Sequence, residues 1–419
     1  MSRPREHRTS LTASSFTRRR FLEGAAGLGL TGLLGTASWK ALAAPDVTLP
    51  FVNGERTLTT TFPQKGTMIL QRTRPPLLET PFEVFDQGVF TPNDQFYVRW
   101  HLENIPTNIN PAEFRLSIHG HVNKPVELTL DDLTTRFERV ELAAVNQCSG
   151  NSRGFFAPRV AGAQWANGAM GNARWTGVRL KDVLDSVGVR AGAVAVRYNG
   201  METGAIPATP IFKRSLAIDH ARDGEVMIAF LMNGEPLPVV NGFPIRMVVP
   251  GWYAPYWVKM LHDIEVLDKP DDYFWMTEEY QIPDTPHASV KPGQTGFKTV
   301  PINRMVPRSF VTNVRDGVIV KVGAPFELRG IAFGGDAGVA HVKVSVDGGR
   351  QWELARLGID HGKYGFRQWS ATVRFPKPGA HVVMVMATNA AGVSQPLEPN
   401  WNPGGFMRNA VESVAVQAA

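Results

Sequence analysis

A single cysteine, Cys148, among 419 residues closes off several ways of holding a chain of this size together. No internal disulfide can form, so stability has to come from buried apolar surface, and a chain of this length can bury a sizeable core. Zinc sites built on CxxC pairs and the CxxCH attachment of haem are excluded on the same count. Hydrophobic residues make up 43% and charged residues 20%, a globular mix long enough for two or three domains.

The formal charge of +6 would suggest a polyanion as partner if it were spread over the fold. It is not spread. Residues 1–43 hold seven basic and two acidic residues, and the remainder is close to neutral, which argues against nucleic acid. Within that leader, Thr17-Arg18-Arg19-Arg20-Phe21-Leu22 runs into a Gly/Ala/Leu stretch from Gly24 to Ala37 and reaches Ala41-Leu42-Ala43. A basic start, an apolar run too short for a bilayer and a small-x-small tripeptide predict a twin-arginine signal peptide over 1–43 and a periplasmic location. No membrane span is expected in the mature chain.

Residues 44–93 are rich in Pro, Thr and Gly, carry short apolar runs such as Thr67-Met68-Ile69-Leu70, and read as an extended N-terminal arm packing on the body. From 94 to 284 strand and helix signals alternate, so an α+β fold is expected there. The Thr129-x-x-Asp132 cap opens one short helix, and Leu180 to Val187, closed by Gly188, is another. Val194–Tyr198, Val226–Leu231 and Arg246–Val249 read as strands. After Ile282-Pro283-Asp284-Thr285-Pro286 the texture changes to short alternating strands, with Val342, Val344 and Val346 on one face and a turn at Asp347-Gly348-Gly349. Residues 285–419 therefore read as a β-sandwich.

Cys148 lies in Asn146-Gln147-Cys148-Ser149-Gly150-Asn151-Ser152-Arg153, after the strand-like run Val140–Val145 and before a Gly-Asn turn. The ends of strands are where open α/β sheets place ligands, and Arg153 would favour the thiolate. By residue type the cysteine is equally a buried free thiol, a metal ligand or a nucleophile, though no histidine sits in a nucleophile-type motif. Arg99 and His101 fall two apart on one strand and so project to one side. Arg246 and Lys259 each stand beside an apolar strand, where surface ion pairing and anion binding are both open. The glycines of Gly168-Ala169-Met170-Gly171-Asn172 suit close backbone approach to a ligand.

Five ordered segments carry a resemblance: Tyr97-Val98-Arg99-Trp100-His101, Gln147 to Arg153, Gly171 to Val178, Met232-Asn233-Gly234-Glu235-Pro236-Leu237-Pro238, and Asn241 to Lys259. From about Phe90 onward the chain resembles the sulfite oxidase family of molybdoenzymes, and within it the bacterial periplasmic sulfite dehydrogenases. The resemblance implies a molybdopterin-binding catalytic domain over 94–284 and an immunoglobulin-like, dimerisation-type domain over 285–419. It implies molybdenum held by a pterin dithiolene and by the thiolate of Cys148, with Arg99, Arg153 and Tyr280 forming the sulfite pocket. His101, Glu202, Asn241, Arg246, Trp257, Val258 and Lys259, with the backbone at Tyr97 and Val98, match positions that bind the pterin and its phosphate. Asn241 and Glu202 stand where the animal enzymes carry histidine and aspartate, so side-chain reach differs at both. The implied reaction oxidises sulfite to sulfate and passes electrons singly to an external c-type cytochrome, with no haem in this chain and either a homodimer or a heterodimer as the working unit. Alternatives on the same scaffold are methionine sulfoxide reduction and sulfane oxidation in a thiosulfate pathway; from another class, a non-catalytic exported binding protein.

Overall fold

Short apolar runs separated by Gly, Pro and Asn favour strands over helices, and strands predominate in the computed structural model, which describes residues 46–419. The longest α-helix among the described residues is Leu180–Val187. The 1–43 leader lies outside the described residues. No helix among those described is long and apolar enough to cross a membrane.

The first strands show how the stretch read as an extended arm over 44–93 is held. Asp46–Thr48, Glu55–Thr59, Met68–Arg72, Leu77–Glu79 and Val98–Arg99 form one antiparallel sheet in that order. Leu77 pairs with Arg99 and Leu78 with Val98, so the ladder crosses the expected boundary at 93/94. A Pro- and Thr-rich segment does run extended, but its backbone groups need partners, and the apolar Met68, Ile69, Leu77 and Leu78 bury against the rest of the molecule.

Two further sheets complete the region up to Leu267. One orders Lys213–Ala217, Ala195–Gly200, Leu261–Leu267, Leu116–Gly120 and Val126–Leu128, with a parallel pairing of Asp263–Val266 on Ser117–Gly120. The other centres on the ladder of Arg139–Gln147 against Met170–Arg179, flanked by Met227–Met232 and Arg246–Val248. Between them the short helices form where their signals lie. Thr129 Oγ1 accepts from Asp132 N while the Asp132 carboxylate accepts from Thr129 N, capping Leu130–Thr135. Leu180, Val183, Leu184 and Val187 give the second helix one buried face, and Gly188 ends it at φ 68°.

Beyond Pro301 two sheets share one core. Arg308–Val311, Pro325–Phe333, Arg367–Arg374 and Arg356–Leu357 form the first; Val318–Val320, Glu412–Ala418, Gly379–Asn389, Val339–Ser345 and Glu353–Leu354 form the second. Leu328 and Trp369 from the first meet Val342, Val344, Val383 and Val385 from the second. The run Gln351–Leu357 splits at Ala355, giving two residues to each sheet. The hairpin of Gln281–Pro283 with Thr299–Pro301 straddles the expected boundary at 284/285, so backbone pairing ties the two regions together.

Candidate active site

Cys148 follows directly on the strand Arg139–Gln147, as its neighbours predict, and is 6% exposed. Its N–H donates to Ala169 O (2.9 Å) and its carbonyl accepts from Asn151 N (3.0 Å). Asn151 Oδ1 accepts from Ala169 N, and Ser152 donates through N to Ala166 O and through Oγ to Asn167 Oδ1. The first sheet supports the same segment from behind. Glu79, buried on Leu77–Glu79, accepts from Gly168 N (2.9 Å), Ala166 N (3.2 Å) and Gln71 Nε2 (2.7 Å). Burial pushes its carboxyl up to about 7 despite those hydrogen bonds. Gly168 and Gly171 thus have another use than the expected approach to a ligand. A Cβ on Gly168 would lie 2.0 Å from Thr80 O and one on Gly171 2.5 Å from the Phe96 ring, so both are demanded by close packing within the protein.

In front of Cys148 lies a small cavity lined by Tyr97, Arg99, His101, Asn146, Cys148, Asn241, Arg246, Ala254, Pro255, Lys259 and Tyr280. Residues up to 183 positions apart in the sequence, Tyr97 and Tyr280, meet in it. Arg246 is clamped by its own turn, donating to Asn241 O (2.9 Å) and Trp257 O (3.0 Å), with its guanidinium 5.0 Å from the Trp175 ring. Lys259 Nζ donates to Arg99 O (2.8 Å) above the Trp100 ring. Asn241 Nδ2 donates to Tyr97 O (3.1 Å), and the Tyr97 hydroxyl donates to Asn146 Oδ1.

His101 lies just past the end of the strand Val98–Arg99, stacked on Phe212, and its Nε2 shares a 2.7 Å hydrogen bond with the Tyr280 hydroxyl. Burial, reinforced by Arg99, Lys259 and Arg214, holds the imidazole well below its ordinary value and therefore neutral. Tyr280 is pushed up to about 12 by burial, so its hydroxyl keeps its proton. Arg246 is lowered to about 10 by burial and stays cationic at neutral pH.

Four expected cofactor contacts do not face this cavity. Glu202 accepts from the backbone N–H of His101 (3.0 Å) and Leu102 (2.9 Å) and sits behind the imidazole, because its longer side chain reaches the chain rather than the cavity. Val98, expected to contribute through its backbone, points its side chain the opposite way from Arg99, into a core with Leu78 and Trp100, as strand alternation requires, and that leaves the backbone expectation as it was. Trp257 and Val258 are buried and offer carbonyls, to Arg246 and to Met247 N. Arg153 lies at the outer mouth shared with Arg99, Cys148 and Tyr280. It donates to Ala163 O and Gly404 O and covers the Phe406 ring at 5.2 Å. Asn146, Ala254 and Pro255 were not singled out from the sequence. Asn146 alone had a signal, its place two residues before Cys148. Buried Arg214, 4.4 Å over Tyr256, had none.

Several buried atoms at this cavity have no hydrogen-bond partner: Arg99 Nη1, His101 Nδ1, Asn146 Nδ2, Asn241 Oδ1 and Arg246 Nε. Leaving such groups unpaired is costly, and together they form a donor-rich, cationic lining suited to a polyanionic, heteroatom-rich group. No cluster of three or more His, Cys, Asp or Glu side chains among the described residues is arranged for a metal. The one soft donor atom in the lining is Cys148 Sγ.

Residues 101–275 match the oxidoreductase molybdopterin binding domain, and residues 299–419 match the Mo-co oxidoreductase dimerisation domain. The chain is 31% identical over 386 residues to sulfite oxidase of Gallus gallus, covering 88% of this chain and 81% of that one. It is 33% identical over 360 residues to the mitochondrial sulfite oxidase of Mus musculus, covering 82% of this chain and only 64% of the relative's length. A nitrate reductase of Hordeum vulgare is 31% identical over 350 residues, covering 78% of this chain and 39% of the relative. Among solved structures, the sulfane dehydrogenase SoxCD from Paracoccus pantotrophus shares the fold with a TM-score of 0.69 at 22% identity, covering 93% of each chain. Fold and site together define a molybdopterin oxidoreductase. More narrowly, the chain belongs to the sulfite oxidase family of molybdoenzymes.

Proposed function

We propose that this protein oxidises sulfite to sulfate at a molybdopterin centre and passes the electrons one at a time to an external c-type cytochrome. The observation that carries the reading is the meeting of Arg99, Arg153 and Tyr280 with Cys148 around one recess. Cys148 Sγ is the protein ligand in this reading, and Arg246, Lys259, Asn241, His101 and Tyr97 receive the pterin and its phosphate. The bound group supplies two-electron oxidation with oxygen transfer.

The chain's own residues do the rest. Arg99 has one guanidinium nitrogen unspent and buried at the cavity, so a sulfite oxyanion is its natural acceptor. Arg153 contributes positive charge at the mouth while its hydrogen bonds hold the Gly404 segment in place. Tyr280 stays protonated, so its hydroxyl adds no negative charge that would repel a dianion. Trp165, Trp275 and Phe406 add apolar surface to the mouth around these contacts.

The two-sheet region beyond Pro301 we read as the immunoglobulin-like dimerisation domain, and the working unit as a homodimer or a heterodimer with a cytochrome subunit. The leader we read as a twin-arginine signal that delivers the enzyme to the periplasm. Changing Arg18 and Arg19 to lysine should leave activity in the cytoplasmic fraction, and undiminished periplasmic activity would refute it.

The deciding experiment combines metal analysis of the purified protein with steady-state turnover. About one molybdenum per chain and sulfite-dependent reduction of cytochrome c are expected. A metal-free protein would leave a binding protein as the reading. A molybdenum-loaded protein that ignores sulfite but reduces methionine sulfoxide, or oxidises a sulfane, would move the assignment to that substrate.

A further inference from the structure

The strand Arg308–Val311 of the C-terminal region opens with an arginine that has no solvent exposure, 160 positions from Cys148. Its Nη2 donates to Ser152 Oγ (3.0 Å) and to Glu412 Oε1 (2.6 Å), and its Nη1 reaches Gln147 Oε1 (3.5 Å). A buried guanidinium is tolerated only when paired. Glu412 supplies the opposite charge, and Arg408 Nη1 donates to the same Oε1 (2.8 Å), so one carboxylate serves two guanidiniums. Gln147 immediately precedes Cys148 and Ser152 follows it by four residues, so one planar fork grips both ends of the cysteine loop.

The grip falls where the loop is least comfortable. Ser152 has φ 70° and ψ 19°, a left-handed conformation that residues with a Cβ adopt at a cost. Its hydroxyl has one hydrogen, given to Asn167 Oδ1 at 2.6 Å, and so accepts from Arg308. Two backbone ties from the same C-terminal region run alongside, Met407 N to Ser149 O and Val145 N to Tyr364 O. Arg308 itself does not line the cavity.

We propose that Arg308, ion-paired with Glu412, is a positioning residue for Cys148: the C-terminal region sets the geometry of the thiol loop in addition to any part in dimerisation. The relevance to catalysis rests on the reading of Cys148 as the molybdenum ligand, but the positioning does not, and the two are separable by experiment. Because Cys148 is the only thiol, alkylation of the full-length chain prepared without molybdopterin reports the opening of this loop alone. Arg308→Met should raise the labelling rate about tenfold, since a buried charged hydrogen-bond donor is lost at one local unit. Arg308→Lys, which keeps the charge beside Glu412 but loses the fork, should fall in between. Val344→Ala, deep in the C-terminal core and away from the loop, serves as a control that lowers the melting temperature without speeding labelling. In molybdenum-loaded protein the Mo(V) electron paramagnetic resonance spectrum should shift in Arg308→Met and not in Val344→Ala.

Equal labelling rates in Arg308→Met and Val344→Ala would overturn the proposal, because Arg308 would then only hold two regions together. Should Arg308→Met fail to fold, a wild-type labelling rate in Arg308→Lys would overturn it equally. Wild-type protein that never takes up molybdenum would defeat the catalytic reading alone and leave the labelling result standing.

Discussion

The loop that carries Cys148 and the cavity wall in front of it are built on opposite plans. Around the loop, Asn151, Ser152, Gln147 and the backbone of 148, 166, 168 and 169 find partners within the protein, with Glu79 on one side and Arg308 on the other, and Ser149 Oγ is the exception. At the wall, Arg99, Asn146, Asn241 and Arg246 each leave a buried polar atom unpaired. Folding alone can satisfy the first set. The second is satisfied only by something the polypeptide does not contain, which is why the loop reads as scaffold and the wall as a binding surface.

The largest expected effect breaks the one atom that belongs to both. Cys148→Ser should abolish molybdenum retention and sulfite turnover while circular dichroism and the melting temperature stay near wild type; full turnover in this variant would remove Cys148 as ligand. Arg99→Met takes one unspent donor from the wall and should raise KM for sulfite by about a hundredfold with a smaller change in kcat. An unchanged KM would make Arg99 part of the scaffold. Arg246→Met should lower molybdenum retained after dialysis by about tenfold or more at little cost in stability, the pattern of a residue that supports a bound group. A variant that loses stability and keeps its metal would move Arg246 across the comparison.

The smallest effect concerns the loop's support. Glu79 holds its proton up to about 7 in the folded chain, against an ordinary 4.5, so the native state binds more protons than the unfolded one across that interval. Stability from this group is therefore complete below the unfolded value and is lost as pH rises through about 7. The difference in unfolding free energy between wild type and Glu79→Gln should shift against wild type from pH 5 to pH 8, by on the order of 1–3 kcal/mol. A difference that does not change with pH would show that Glu79 is ionised throughout.

Much of this was legible locally. The capping box at Thr129 and the Gly188 stop each depend on a few neighbouring residues, and both helices form where those residues stand. Cys148 at a strand end followed from an apolar run and a turn signal. The side on which a residue's contribution falls was harder to read. Val98, Trp257 and Val258 belong to matched segments, yet each turns its side chain into the core, and Glu202 serves the backbone beside His101. A motif marks a stretch of chain; alternation and side-chain length decide which atoms in it reach the cavity.

The sequence by itself determined a disulfide-free molecule, two short capped helices, the place of its one thiol and the family to which it belongs, because turn chemistry, capping and residue identity are properties of short stretches; that strands outweigh helices in the α+β region came from the structure. Only the tertiary structure decided that residues 46–79 complete a sheet with Arg99, and that Arg308 and Glu412 brace a loop far away in the chain. Pairing across such distances depends on which strand edge is free and which buried charge needs a counterion. Neither is written in the residues until the whole chain has closed on itself.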